Sequence, residues 1–162
     1  MRHIYALGLI GAVTGLISWV VFFADVEILA DFLGAIFGVG VAAYLFRTTA
    51  TAPLRLALVV IGFGLSWQIA FEFAGTYYER IGSMTLTGMI AGAIGAAIVA
   101  AAVATTNASY RKAIPVLRTL CLGAGFGAFL GWETNLGAAC LFIGWQTAIG
   151  ASLGWRDQAI QA

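Results

Sequence analysis

Charge is scarce in this 162-residue chain: Asp, Glu, Lys and Arg make up 9% of it, against 62% hydrophobic residues. That balance excludes a water-soluble domain, which has no core large enough to hide so much apolar surface. Mean hydropathy is +0.98, so the solvent for this chain is lipid. Histidine occurs once, as His3. Its scarcity excludes bis-histidine haem within the chain, and no cysteine or carboxylate cluster has metal-ligand spacing, so no metal or cofactor is expected. It also removes the usual general base. Asp31 and Glu72 are the only conceivable acid pair, and an enzyme is not expected. The two cysteines, Cys121 and Cys140, lie about 20 Å and 9 Å from the turn near Thr134 if each residue rises ~1.5 Å. That mismatch exceeds disulfide reach and leaves them as small packing residues. The only prolines, Pro53 and Pro115, fall in connections just before helices. Basic residues are spread among loops, which argues against nucleic-acid binding.

What fills the chain instead is six apolar stretches, at about 4–23, 28–46, 56–75, 84–105, 117–132 and 136–155. Each is roughly long enough to cross a bilayer. They lack the alternation of barrel strands, and a backbone in hydrocarbon must satisfy its own hydrogen bonds, so helices are predicted. The expected fold is all-α: a polytopic integral membrane protein with six transmembrane helices, short loops and a single domain over 1–162. The first stretch exceeds the apolar region of a signal peptide and reads as a retained helix. Asn107, Ala108 and Ser109 spell a glycosylation acceptor, discounted because its loop falls on the cytoplasmic side of the topology below.

The connections carry nearly all the charge. With a cytoplasmic N-terminus, seven of the eight basic residues face inward: Arg2, Arg47, Arg55, Arg111, Lys112, Arg118 and Arg156. Arg80 is the exception. Both termini are then cytoplasmic, in what reads as a bacterial cytoplasmic membrane. The outer face collects Asp25, Glu27, Asp31, Glu72, Glu79 and Glu133. Insertion alone accounts for the basic inner face, while acids around one mouth would concentrate cations. Asp31, Glu72 and Glu133 are the candidates for such an outer vestibule. Trp19, Trp132 and Trp155 read as interfacial anchors.

Nearly all of the 21 glycines fall inside the stretches, and five of the six stretches repeat them at four-residue spacing. Gly11 and Gly15, Gly34 and Gly38, Gly88 and Gly92, Gly123, Gly127 and Gly131, and Gly150 and Gly154 predict grooves where backbones approach closely. Most of these grooves are expected to pack within the chain. Residues 33–38 match 122–127 at five positions of six, Trp67 and Gln68 resemble Trp145 and Gln146, and Leu9, Ile10 and Gly15 pair more weakly with Met89, Ile90 and Gly95. The order is that of a three-plus-three inverted repeat.

Gln68 and Gln146 are the polar side chains held deepest, either as interhelical glue or as the lining of a midplane site. In the second case Trp67 and Trp145 supply apolar walls, with Ser66 and Thr147 as hydroxyl ligands. An all-neutral lining points to a small neutral or weakly polar solute. The expectation is a membrane channel, carrier or transporter subunit for such a solute. The alternative is a non-catalytic structural subunit docking through its glycine faces into a larger assembly. The bilayer is the expected partner, with further copies of the chain or other membrane subunits as additional ones. In size and architecture alone, with its glycine-rich first helix, the chain resembles substrate-binding subunits of vitamin transporters. No motif residue is carried over from that resemblance.

Overall fold

Apolar runs with few charges have one way to satisfy their backbone in hydrocarbon, and the computed structural model shows it. It describes residues 2–24, 32–49, 51–132 and 134–155, and those residues are helical with no strand. Helix α1 is Arg2–Phe23, α2 Leu33–Thr48, α3 Pro53–Ile81 and α4 Met84–Ala104. After a 3₁₀ turn at Ala108–Arg111 come α5, Ala113–Gly131, and α6, Asn135–Gly154. The last four residues of α5 tighten into 3₁₀ geometry, and α6 contains a π-helical turn at Cys140–Gly144. Five of these helices are long and apolar enough to cross a bilayer, which makes this a multi-pass integral membrane protein. The exception is α2, whose 16 residues rise only about 24 Å.

Some boundaries differ from those read in the sequence. The third stretch does not end at Gly75. It continues to Ile81, where Gly82 adopts φ 70° and its N–H bonds the Tyr78 carbonyl. The polar run Tyr77 to Arg80 is therefore helical: 29 residues span roughly 43 Å, more than the hydrocarbon thickness, so the last turns emerge from it. Glu72 sits more than two turns before that end rather than one. Neither proline precedes its helix. Pro53 opens α3 and Pro115 lies in the first turn of α5, where the missing N–H has no intrahelical partner in any case. The expected start of the second stretch at Ile28 lies outside the described residues, which resume at Phe32 before α2.

Successive helices run antiparallel, and α6 returns to pack along α1. The glycines explain how closely. A methyl added at Gly11 would run into the Gln146 carbonyl, at Gly15 into Ile143, at Gly150 into Leu7 and at Gly154 into His3. Across α4 and α5, Gly88 meets Gly127, Gly92 meets Gly123, and Gly131 meets Thr85. Gly34 and Gly38 press on Phe63, Trp67 and Val60 of α3. All eleven glycines singled out in the sequence thus abut another helix of the same chain. Large apolar side chains take the opposite face: on α1, Leu9, Val13, Leu16 and Val20 are exposed while Gly8, Gly11, Gly15 and Ser18 are buried. Small residues inside and large apolar ones outside is the arrangement a bilayer favours, since lipid solvates the latter while close packing needs the former.

The antiparallel order brings Arg2, Arg47, Arg55, Arg111, Lys112 and Arg118 to one end of the bundle, here called the inner end. Phe37, Val41, Val59, Phe63, Val99, Val103, Ile149 and Leu153 form a close-packed apolar plug in that half. Of the acids expected at the other end, Asp25, Glu27, Asp31 and Glu133 lie outside the described residues, as do Arg156 and Asp157.

Candidate functional site

Toward the outer end the bundle opens. A partly open cavity of about 270 Å³ is lined by α2 to α6. On α3 its lining runs from Phe63 to Tyr78, a rise of roughly 22 Å along the helix, so the space is an elongated slot. One wall is aromatic. Trp67 lies near-parallel to Phe71, with centroids 5.8 Å apart at 22°, and 5.2 Å from Phe142 at 35°, with Trp145 a helical turn below Phe142. The side formed by α4 and α5 carries Gly88, Ala91, Gly92 and Gly127, with Met84 and Leu130 toward the mouth, while Gly75 follows Trp67 and Phe71 on α3. The π-turn belongs to the aromatic wall: its Leu141 and Phe142 line the slot, and a π-turn re-aims side chains within a helix that otherwise continues.

The floor holds the polar groups. Gln146 is 4% exposed and each end of its amide is engaged: Thr14 Oγ1 donates to Oε1 at 2.8 Å, and Nε2 donates to Ser18 Oγ at 3.0 Å. Thr14 and Ser18, one turn apart on α1, thereby fasten α1 to α6 at the depth where an unpaired amide is most unfavourable. Ser66 donates its hydroxyl to the Phe63 carbonyl at 2.7 Å. No lining residue is charged. The plug Phe63, Val59 and Val99 begins directly beneath.

Of the six residues expected to line a site, Ser66, Trp67, Trp145 and Gln146 face this slot together. The other two do not. Thr147 donates to the Ile143 carbonyl at 2.6 Å, within its own helix. Gln68 is turned onto the outer flank of α3, in a shallow surface depression with Ile69, Glu72, Phe73, Thr76 and Tyr77. One residue after Trp67 on a helix is a rotation of about 100°, enough to carry Gln68 off the wall. The two glutamines therefore do not meet. Glu72, the one described member of the expected vestibule, is exposed on that same flank. Cys121, expected as a packing residue, is exposed, and both cysteines are free.

Sequence reasoning missed a second polar group at the inner end. Thr119 Oγ1 and Ser152 Oγ are 2.8 Å apart, with the buried Tyr110 hydroxyl within 3.3 Å and 3.4 Å of them. Arg118 donates through Nε to Ser152 Oγ at 3.3 Å and through Nη2 to the Ser152 carbonyl at 3.1 Å, and its guanidinium lies over Trp155 at 5.1 Å. This cluster ties α5 to the last turn of α6, whose free carbonyls favour a cation. Nearby, His3 Nδ1 and Tyr44 Oη share a 2.5 Å hydrogen bond that joins α1 to α2. Among the described residues no group of His, Cys, Asp or Glu is placed to hold a metal ion. No family model, curated protein or solved structure matches the chain.

Proposed function

We propose that this protein is a carrier, or the solute-binding membrane subunit of a transporter, for a small neutral solute held in the outer slot. The observation that carries the reading is the slot itself: about 270 Å³ of space with uncharged, partly aromatic walls, in a bundle whose paired-glycine seams are closed by backbone contact. That volume lies just below the roughly 300–1,000 Å³ of ordinary ligand pockets, so the solute is small. A close-packed plug under the floor favours alternating access over an open channel.

The same reading takes α2 as a sixth span, both termini as cytoplasmic and the membrane as a bacterial cytoplasmic one, on the strength of the basic inner end. It also keeps the three-plus-three inverted repeat. Gly15 of α1 sits against Ile143 of α6, and Gly95, its aligned partner on α4, sits against Ser66 of α3, so each is a crossing between the two halves, as an exchange of repeats requires. The repeats have diverged elsewhere, since Gly34 and Gly38 pack on α3 while the aligned Gly123 and Gly127 pack on α4. Docking of glycine faces into a larger assembly has less support, because those faces are occupied from within the chain.

Uptake into proteoliposomes across a panel of small neutral solutes tests the proposal. Saturable uptake of at least one solute, absent from protein-free vesicles, is the expected result. Uptake of none, together with stable co-purification of unrelated membrane subunits, would replace it with the assembly role.

A further inference from the structure

We propose that the slot takes its solute from the outer leaflet of the bilayer: a single-chain amphiphile whose alkyl chain lies in the slot and whose uncharged polar head stays in the headgroup layer beside Tyr78. The proposal rests on the slot being a binding site and names what it binds.

The depth of the opening carries it. Phe63, Ser66 and Gln146 are buried at the floor, whereas Phe71, Gly75 and Tyr78, which line the slot along α3, are exposed. Measured from Arg55 at the basic inner end, Phe71 lies about 24 Å along the helix, Gly75 about 30 Å and Tyr78 about 34 Å. Against a hydrocarbon core of about 30 Å, the opening starts among acyl chains and ends among headgroups. A molecule entering there is already dissolved in the leaflet, with room for its head at the mouth. It also has a step that needs a carrier, because the head of an amphiphile, unlike a free hydrocarbon, loses its hydration in crossing the bilayer core.

The slot admits the chain and refuses the head. The Gln146 amide is engaged by Thr14 and Ser18, and the Ser66 hydroxyl by the Phe63 carbonyl, so a polar group brought to the floor breaks one of these bonds or is buried unpaired. The rings are tilted on one another, Phe71 at 22° and Phe142 at 35° to Trp67, a surface that a chain with rotatable bonds can follow. At the mouth the Tyr78 hydroxyl donates to Glu79 at 3.3 Å, and its oxygen can accept from a hydroxyl on the head. The described charges of the outer end are Glu72, Glu79 and Arg80, two acids to one base, which disfavours an anionic head.

The probe is a monoacylglycerol brominated at mid-chain, added to the whole protein in phosphatidylcholine nanodiscs. Bromine quenches tryptophan fluorescence on contact, and Trp67 and Trp145 line the slot. Probe dissolved in lipid quenches in proportion to its amount; the expected result is a further component that saturates at one probe per chain. A Cβ at Gly75 meets nothing within 4 Å, so Gly75→Leu fills the mouth without a clash and should weaken that component about tenfold. Lysophosphatidylglycerol with the same brominated chain should bind about tenfold more weakly through its anionic head. Equal binding of the two would overturn the uncharged head. Purely proportional quenching, or a saturable part indifferent to Gly75→Leu, would overturn the amphiphile; saturable proteoliposome uptake of a water-soluble neutral solute, blocked by Gly75→Leu, would then leave the slot as a site. Absence of both saturable quenching and uptake would overturn this proposal and the functional reading beneath it.

Discussion

The α1–α6 seam and the outer slot are both rich in glycine, and the glycines act in opposite ways. At the seam, Gly11, Gly15 and Gly150 each receive the backbone of the facing helix, so the missing side chain has been filled by main chain. In the slot, Gly75 receives nothing, and the missing side chain remains as space. The distinction separates what holds this bundle together from what it can hold. In lipid there is no hydrophobic gain from hiding a leucine, so stability comes from close backbone contact and interhelical hydrogen bonds. Void space then carries a penalty, because its lining loses dispersion contacts with nothing to offset them unless something occupies it.

The sharpest way to break the comparison is to put a side chain into a seam. Gly123→Leu would drive atoms into Gly92 and Ala96, and Gly11→Leu into the Gln146 carbonyl. Each is expected to lose about 3 kcal/mol or more, read as unfolding in mild detergent, since backbone cannot give way as a flexible side chain can. Next comes the link between the two regions. Thr14→Val deletes the donor to Gln146 Oε1, leaving an amide oxygen short of a partner beside the slot floor. A loss of about 1–2 kcal/mol in denaturant unfolding is expected. Ser152→Ala removes the hydroxyl that Thr119, Tyr110 and Arg118 share at the inner end, with a smaller loss of about 1 kcal/mol and no change in solute uptake. Smallest is Gln68→Ala. Facing away from the slot, it should leave uptake unchanged, and a marked fall in uptake would return Gln68 to the site.

Much of this was readable in the sequence because lipid imposes simple rules. Apolar length located the helices, and four-residue glycine spacing located the surfaces that meet. Rotation about a helix axis was less readable. Trp67 and Gln68 are neighbours in sequence, yet one faces the slot and the other the outer flank; the four-residue spacing of Gln68, Glu72 and Thr76 was the signal that these polar residues share a face. The length of α3 was obscured by its polar last turns, although Gly82 was a visible stop signal. Thr14 and Ser18 repeat at the spacing of Gly11 and Gly15, a small-residue stripe that already marked the face Gln146 would bind. By contrast, the cluster of Tyr110, Thr119 and Ser152 joins residues far apart in the chain, and only tertiary packing assembles it.

The most direct test of the account is Gly75→Leu, measured twice on one preparation: thermal unfolding midpoint in detergent and solute uptake in proteoliposomes. Replacing an open helical glycine improves helix propensity by up to about 1 kcal/mol, so the midpoint should hold or rise. Uptake should be lost. An unchanged midpoint with undiminished uptake would contradict the claim that the outer slot is where this protein does its work.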